Sequence, residues 1–313
     1  MDFFITVLIF VIVLFFYIHI TYQYKTSEDL EIYELDYKSN NQLQETCNIK
    51  QPILFKTDVF SENEEFCERI SVDSLLNHGN SYIKIKDSND YIHDNVDSVD
   101  YFMLTVDSGY KLLDTDTRSH YYSENNQDLL DDTALSNEYT TIDKYIKPTL
   151  SVYKRYDILF GSKNTNTCLK FHTNYRYFLY VTSGKIRIKM TPWKSRRMLY
   201  PIYDYDNYEF FSPINVWNPQ ERYLHEMDKI KFLEFDVHEG FMLFIPSFWW
   251  YSIKFSTSDT SVATFTYNNT MNILSNLPNI SLYLLQQANI NKKTVKTLNL
   301  EDKQENDEKN TSL

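Results

Sequence analysis

The chain has 313 residues, 42% hydrophobic and 16% aromatic, with only 5 Gly and 8 Pro; so many Tyr and Phe collapse around a core, which excludes a wholly disordered or collagen-like protein. A formal net charge of −12 argues against nucleic-acid binding, which needs a cationic footprint to release counterions from phosphates. Cys47, Cys67 and Cys168 are odd in number and lack metal-site spacing, so reduced thiols are expected rather than a disulfide framework or a zinc knuckle.

Residues 3–22, FFITVLIFVIVLFFYIHITY, carry no formally charged side chain. Twenty residues rising ~1.5 Å each cover the ~30 Å hydrocarbon core of a bilayer, and an unbroken helix satisfies every backbone polar group there. Tyr17 and Tyr22 suit an interfacial belt. A cleaved signal peptide would want a basic start, a shorter apolar core and a small-residue cleavage site; Met1-Asp2 precedes this run and no small pair follows it. Residues 1–23 are therefore read as a single-pass transmembrane anchor that contacts the membrane through 3–22. Lys25 is the only basic residue close to either end, which weights the following domain slightly toward the cytosolic side.

Residues 24–50 are polar and acidic and read as a stalk. The stretch 51–148 reads as an α/β part, with a strand at 52–56, a helix over 62–77 and a segment rich in Asp, Asn and Ser from 81 to 146. The pattern changes at 149. TLSVYKRYDILFG, TCLKFHTNYRYFLYVTSG, KIRIKMTPW, IKFLEFDV, GFMLFIPSFWWYSIKF and SVATFTYN are β-rich runs separated by turn signals. They predict a mainly β fold, an antiparallel barrel or jelly roll over 149–270 with flanking helices. Residues 271–292 read as helical around an interruption at Pro278, and 293–313 as a charged, disordered tail.

Several segments carry a more specific signal in a fixed order. They are QPILFKTDVF at 51–60, a strand ending at Gly161, Thr167-Cys168-Leu169, and a run closing at Gly184. Leu199-Tyr200-Pro201 follows, then Ser212-Pro213-Ile214-Asn215 with Asn218-Pro219 and Glu221-Arg222-Tyr223. Last come Glu239-Gly240, Phe244-Ile245-Pro246 and Trp249-Trp250. Over roughly residues 45–290 this order resembles the JmjC-type cupin-like family, a double-stranded β-helix, and most closely the factor-inhibiting-HIF-like asparaginyl hydroxylase group. A narrower likeness is to membrane-anchored cupin-like proteins of giant viruses. Lys outnumbers Arg 23 to 8, which suits the AT-rich genomes of such viruses and suggests a viral or host membrane.

The resemblance implies Fe(II) held by a His-x-Asp pair and a distal His after the Trp-Trp pair, with open positions for 2-oxoglutarate and oxygen. In this chain Tyr251 stands at the distal position. Anchoring on Thr167-x-Leu169 puts Lys170 and His172 at the proximal pair. Anchoring on Gly184 puts Phe171 and Thr173 there, and taking His172 as the proximal His puts Asn174 at the carboxylate. No register yields two His and a carboxylate. The 2-oxoglutarate lysine maps to Ile186, flanked by Lys185 and Arg187, and the last-strand Asn maps to Thr264; only Thr167 matches the pocket.

The expectation is a degenerate site, with Lys170, His172 and Tyr251 at ligand positions and Thr167, Ile186 and Thr264 at cosubstrate positions. No catalytic, cofactor-binding or metal-binding residue is assigned, and no cofactor is expected where the family uses Fe(II) and 2-oxoglutarate. The leading reading is a non-enzymatic, membrane-anchored binding or structural scaffold. The alternative is an atypical Fe(II)/2-oxoglutarate-dependent protein hydroxylase that uses His172 with further ligands such as His225 or His238; a small anionic ligand on Lys170 is a third. His172 and the Trp249-Trp250 pair also read simply as barrel core. Residues 271–290 offer a homodimer interface, by the family resemblance. The basic run Lys185, Arg187, Lys189, Lys194, Arg196 and Arg197, within 185–197, reads as a solvated face or as a site for an acidic partner, lipid headgroups or the acidic segment Asp87–Asp107.

Overall fold

A computed structural model describes residues 2–92 and 98–289; the tail expected over 293–313 lies outside them. Helix α1 (Asp2–Gln23) is exposed along its apolar length. Two of its polar side chains bond back to the helix itself: the Thr21 hydroxyl donates to Tyr17 O at 2.8 Å and His19 Nδ1 to Phe15 O at 2.8 Å. At its foot the Tyr24 hydroxyl donates to Ser275 O, and the Lys50 ammonium lies over the Tyr22 ring at 5.5 Å. A cation there complements the carbonyl end of the helix.

The stalk expected at 24–50 is part of the folded domain. β1 (Tyr33–Glu34) pairs in parallel with β2 (Ile53–Lys56), and α2 (Asn40–Cys47) is capped by Ser39, whose hydroxyl accepts from Gln42 N. Leu35, Leu43 and Cys47 are buried in the core. Leu43 and Cys47 are one helical turn apart, and polar contacts complete the docking of α2: Asn40 Nδ2 donates to Lys147 O at 2.8 Å and Gln44 Oε1 accepts from buried Arg176 Nε at 2.9 Å.

Next come α3 (Asn63–Arg69), α4 (Val72–Leu76), β3 (Tyr82–Asp87), β4 (Phe102–Thr105), α5 (Val106–Thr115), β5 (Tyr121–Ser123), α6 (Gln127–Asp132) and α7 (Ser136–Ile146). The single helix expected over 62–77 is thus two. Ser71 caps the second by accepting from Ser74 N, an alternative to the helical ladder that Ser offers readily.

From 151 onward strands dominate: β6 (Ser151–Gly161), β7 (Leu169–Phe171), β8 (Arg176–Ser183), β9 (Lys185–Thr191), β10 (Ile202–Asp204), β11 (Glu209–Ser212), then α8 (Leu224–Met227), β12 (Leu233–His238), β13 (Phe241–Phe244), β14 (Trp250–Phe255) and β15 (Ser261–Asn269). Helices α9 (Thr270–Ser275) and α10 (Leu277–Asn289) follow, divided next to Pro278 as the sequence suggests.

Among the described residues one sheet has nine strands, ordered β1-β2-β13-β8-β15-β6-β5-β3-β4, and the other six, ordered β10-β11-β7-β14-β9-β12. Successive strands cross between them: β6 and β8 lie in the first sheet, β7 and β9 in the second, and β12 to β15 alternate again. This winding is a jelly roll. Gly184 (φ +73°) and Gly240 (φ +80°) sit at two of the crossings, in a backbone region that side chains disfavour.

Period-2 burial builds the layers. Between the sheets lie Leu179, Val181, Ile186, Ile188, Met190, Leu243, Trp249, Ile253 and Val262. The outer face of the larger sheet, with Ile158, Phe178, Phe265 and Tyr267, is covered by Phe66, Leu130, Tyr139 and Ile142 of the helices. The outer face of the smaller sheet, with Leu169, Phe171 and Trp250, packs on Leu199, Ile214 and Ile230. Trp249 and Trp250 are fully buried and therefore serve different cores.

Gly161 ends β6 where a Cβ would meet the Phe255 ring at 2.2 Å. Gly161→Ala is expected to cost about 1–3 kcal/mol by overpacking, read as a lowered midpoint in denaturant; an unchanged midpoint would show that Phe255 moves freely.

A buried ionic network at the candidate functional site

Strand pairing decides which of the expected positions meet. Lys170 on β7 is the direct cross-strand partner of Tyr251 on β14. Leu169 and Phe171 point to the outer core of the smaller sheet, so alternation turns Lys170 inward, where Tyr251 also packs. The Gly184-anchored register would use Phe171, which faces away from the barrel interior. Ile186 belongs to the same interior core. Thr264 lies between Ala263 and Phe265, which face outward, and so faces inward too. The Thr167 hydroxyl is taken up locally, accepting from Ile253 N at 3.0 Å.

The Lys170 ammonium is ion-paired to Glu124, just after β5. Glu124 also holds Lys86 of β3 at 3.1 Å, and Lys86 pairs in turn with Glu209 of β11. Glu209 accepts from the Tyr91 hydroxyl at 3.0 Å and from Asn125 Nδ2 at 2.7 Å. Asn125 Oδ1 accepts from Arg155 at 2.7 Å, and Asp157 accepts from the backbone N–H of Asn125 and Asn126 at 2.8 and 2.6 Å. Side-chain exposure is 2% at Lys86, 4% at Glu124, 13% at Lys170 and 12% at Glu209. Two ammonium groups face two carboxylates, and Arg155 lies near Asp157, so the buried charge is balanced.

That balance sets the protonation states. Burial works against the charge on Lys170, but Glu124 outweighs it and raises the pKa. Burial likewise opposes ionised Glu124, yet Lys170 and Lys86 hold its carboxyl well below the usual range. Lys86 is raised in the same way, against burial, by Glu209 and Glu124. Burial lifts the Tyr251 phenol well above its ordinary value.

His172 is neutral. Burial, with the nearby Lys170 and Lys50 charges, brings it down to about 3 against the hydrogen bond to Ile245. Its Nε2 donates to Ile245 O at 3.2 Å and its Nδ1 accepts from Asn174 N at 3.2 Å, so both ring nitrogens are engaged. The ring lies 4.7 Å from Tyr177 and 6.1 Å from Tyr251. The other two histidines considered stand elsewhere. His225, on α8, meets Lys229 at 2.7 Å, and His238 lines an outer cleft of about 790 Å³ with Glu34, Asp36, Lys56 and Asp236. Among the described residues no three His, Cys, Asp or Glu side chains are grouped to hold a metal.

Sequence reasoning missed Glu124, Lys86 and Glu209. Lys86 was visible as a charged residue in the alternating run Tyr82–Asp87. Glu124 and Glu209 follow no periodicity and become partners only through the sheet order. Half of the basic run has its acidic counterpart on the adjacent β12: Lys185 pairs with Asp236 at 2.7 Å, Arg187 with Glu234 at 2.7 Å and Lys189 with Glu234 at 3.3 Å.

Glu124→Gln removes the carboxylate shared by two buried ammonium groups and is expected to cost about 3–5 kcal/mol. Lys170→Met with Glu124→Leu leaves Lys86 on Glu209 and is expected to cost much less; equal losses in equilibrium unfolding would refute the network. His172 adds a pH dependence. Its folded pKa is depressed, so its contribution is complete above ~6.5 and falls as the unfolded chain takes up a proton, by up to about 2 kcal/mol at pH 5. His172→Gln is expected to flatten the stability profile between pH 7 and 5, and an unchanged slope would contradict this.

A search of the curated proteins finds no match. A family model described as a cupin-like domain matches residues 23–276, which covers the strands of both sheets, the ionic network between them and the segment first read as a stalk. By that match and by its jelly-roll winding, the chain belongs to the cupin-like domain family.

Proposed function

We propose that this protein is a membrane-anchored member of the factor-inhibiting-HIF-like group, of giant-virus type, whose barrel acts as a non-enzymatic binding or structural scaffold. The observation that carries this reading is the Lys170 ammonium, ion-paired to Glu124 and directly across from Tyr251. Fe(II) in this family needs imidazole and carboxylate lone pairs. The corresponding positions offer an ammonium, a phenol with a raised pKa and an imidazole with both nitrogens bonded. At the cosubstrate position Ile186 has no charge for the 2-oxoglutarate carboxylate. The residues present do not fit the iron or its cosubstrate.

The membrane part of the reading rests on Phe3–Gln23, long and apolar enough to span a bilayer. Lys25 just beyond it favours a cytosol-facing domain, and the three free thiols suit a reducing side. The hydroxylase alternative requires His172 to release Ile245 and gain partners that His225 and His238 do not provide where they stand.

The test is metal content of the full-length, detergent-solubilised protein after anaerobic incubation with Fe(II) and 2-oxoglutarate, followed by desalting. Iron at the buffer level and no 2-oxoglutarate decarboxylation are expected. About one iron per chain, or turnover, would overturn the scaffold reading and restore the hydroxylase.

A further inference from the structure

Helix α10 is turned the opposite way from a helix on a water-exposed surface. Three of its polar side chains bond to the domain: Asn279 accepts from the Tyr205 hydroxyl at 3.0 Å, and Gln286 and Gln287 donate to Asp206 at 2.8 and 2.7 Å, while Ser281 lies exposed among the leucines. Tyr283 packs on Tyr208 with the same row. On the other side Leu277, Leu282, Leu284 and Leu285 are 51%, 47%, 59% and 62% exposed. At 100° per residue these leucines occupy one arc and the polar contacts the other. No residue of α10 is charged.

This leucine face begins at the foot of α1. Helix α9 packs against α1, and Ser275, which accepts the Tyr24 hydrogen bond, lies two residues before Leu277. On the other side of α9, Asn269 pairs with Ser151, and Leu150 and Val152 beside it are 79% and 62% exposed. A cationic turn meets the same place. Tyr24 packs on Phe248 at 6.1 Å and Phe248 on Trp193 at 5.3 Å. Trp193 opens the turn Trp193–Met198, whose Lys194 donates to Glu28 O at 3.1 Å. Among the described residues Lys194, Arg196 and Arg197 form no salt bridge with a carboxylate, in a chain whose net charge is −12.

We propose that these elements form a membrane-docking face: α10 lies along the headgroup–acyl boundary of the bilayer that α1 crosses, leucines down, while Lys194, Arg196 and Arg197 meet anionic lipid headgroups. The inference rests on the anchor reading of α1. It assigns the occupant of the leucine row as lipid, because that row starts where the apolar span ends and is flanked by a cationic turn whose Lys194 and Arg196 meet Glu28 O and the Trp193 ring rather than a carboxylate. An amphipathic helix beside basic residues is the usual form of an interfacial contact.

The test uses the full chain with Cys67→Ser, reconstituted in phosphatidylcholine/phosphatidylserine vesicles, and a membrane-impermeant maleimide. Single cysteines report three places: Phe10→Cys in α1, Leu285→Cys in α10, and Ser258→Cys in the exposed turn at the far end of β15, which also measures the fraction of outward-facing chains. Leu285→Cys is expected to label at least tenfold more slowly than Ser258→Cys, and severalfold faster once phosphatidylserine is replaced by phosphatidylcholine. Rapid labelling of Leu285→Cys with Phe10→Cys protected would overturn the docking face while leaving the anchor standing. Rapid labelling of Phe10→Cys would remove both. Protection of Leu285→Cys accompanied by disulfides between the introduced thiols of two Leu285→Cys chains under copper phenanthroline and air would assign the face to a second copy and overturn the lipid proposal. A rate unaffected by phosphatidylserine would remove the cationic turn from it.

Discussion

A lysine ammonium between two β-sheets has to find a carboxylate, because an unpaired buried charge costs several kcal/mol or more. In this barrel Lys170 finds Glu124, and much of the interior is organised around that pairing. Glu124 sits just after β5, on a segment whose next two residues give their backbone N–H groups to Asp157 of β6. Asp157 in turn is the cross-strand partner of Thr264 on β15. One ion pair therefore ties β7 of the smaller sheet to the segment that fixes β5 against the middle of the larger one. Lys86 and Glu209 extend the tie to β3 and β11. Buried ion pairs contribute little net stability compared with a well-packed apolar core. Their contribution here is better described as specificity, since any other register of β5 or β7 would strand a charge.

How much of this was legible in the sequence follows from where the periodicity is strong. KIRIKM and SVATFTYN announce their strands because every second residue must be apolar. The JmjC-like order of motifs marked the same strands and mapped Lys170 (in one of three registers), Tyr251, Ile186 and Thr264 to ligand and cosubstrate positions; that all four face inward follows from the strand pairing and packing. The misread parts have a common cause. In 24–50 Leu35, Leu43 and Cys47 are buried in the core and Tyr37 packs against it on Phe55 and Phe60, too few and too irregularly spaced to stand out among acidic neighbours, so a docked segment resembled a stalk. The helix at 62–77 broke at Ser71 because its hydroxyl offered a cap. Glu124 was invisible because its role depends on strand order rather than local spacing. The pairing of Lys185, Arg187 and Lys189 with Glu234 and Asp236 was legible in principle, since both sets repeat with period 2 and opposite sign.

With 24–50 folded into the domain, the tether between the apolar helix and the barrel nearly disappears. Tyr24 already bonds Ser275, and β1 begins at Tyr33. A domain attached so closely presents a fixed face to whatever surrounds α1, and the side chains on that face are leucines, aromatics and the cations of the Trp193–Met198 turn. Interior and exterior therefore point in the same direction. The space between the sheets is filled by Ile186, Tyr251 and a neutralised set of ions, which leaves few free donors or acceptors for a ligand. The surfaces next to α1, by contrast, leave Leu277, Leu282, Leu284 and Leu285 exposed while Asn279, Gln286 and Gln287 bond to the domain. On the scaffold reading proposed above, the chain works through its surfaces, and the barrel is the rigid body that holds them in register.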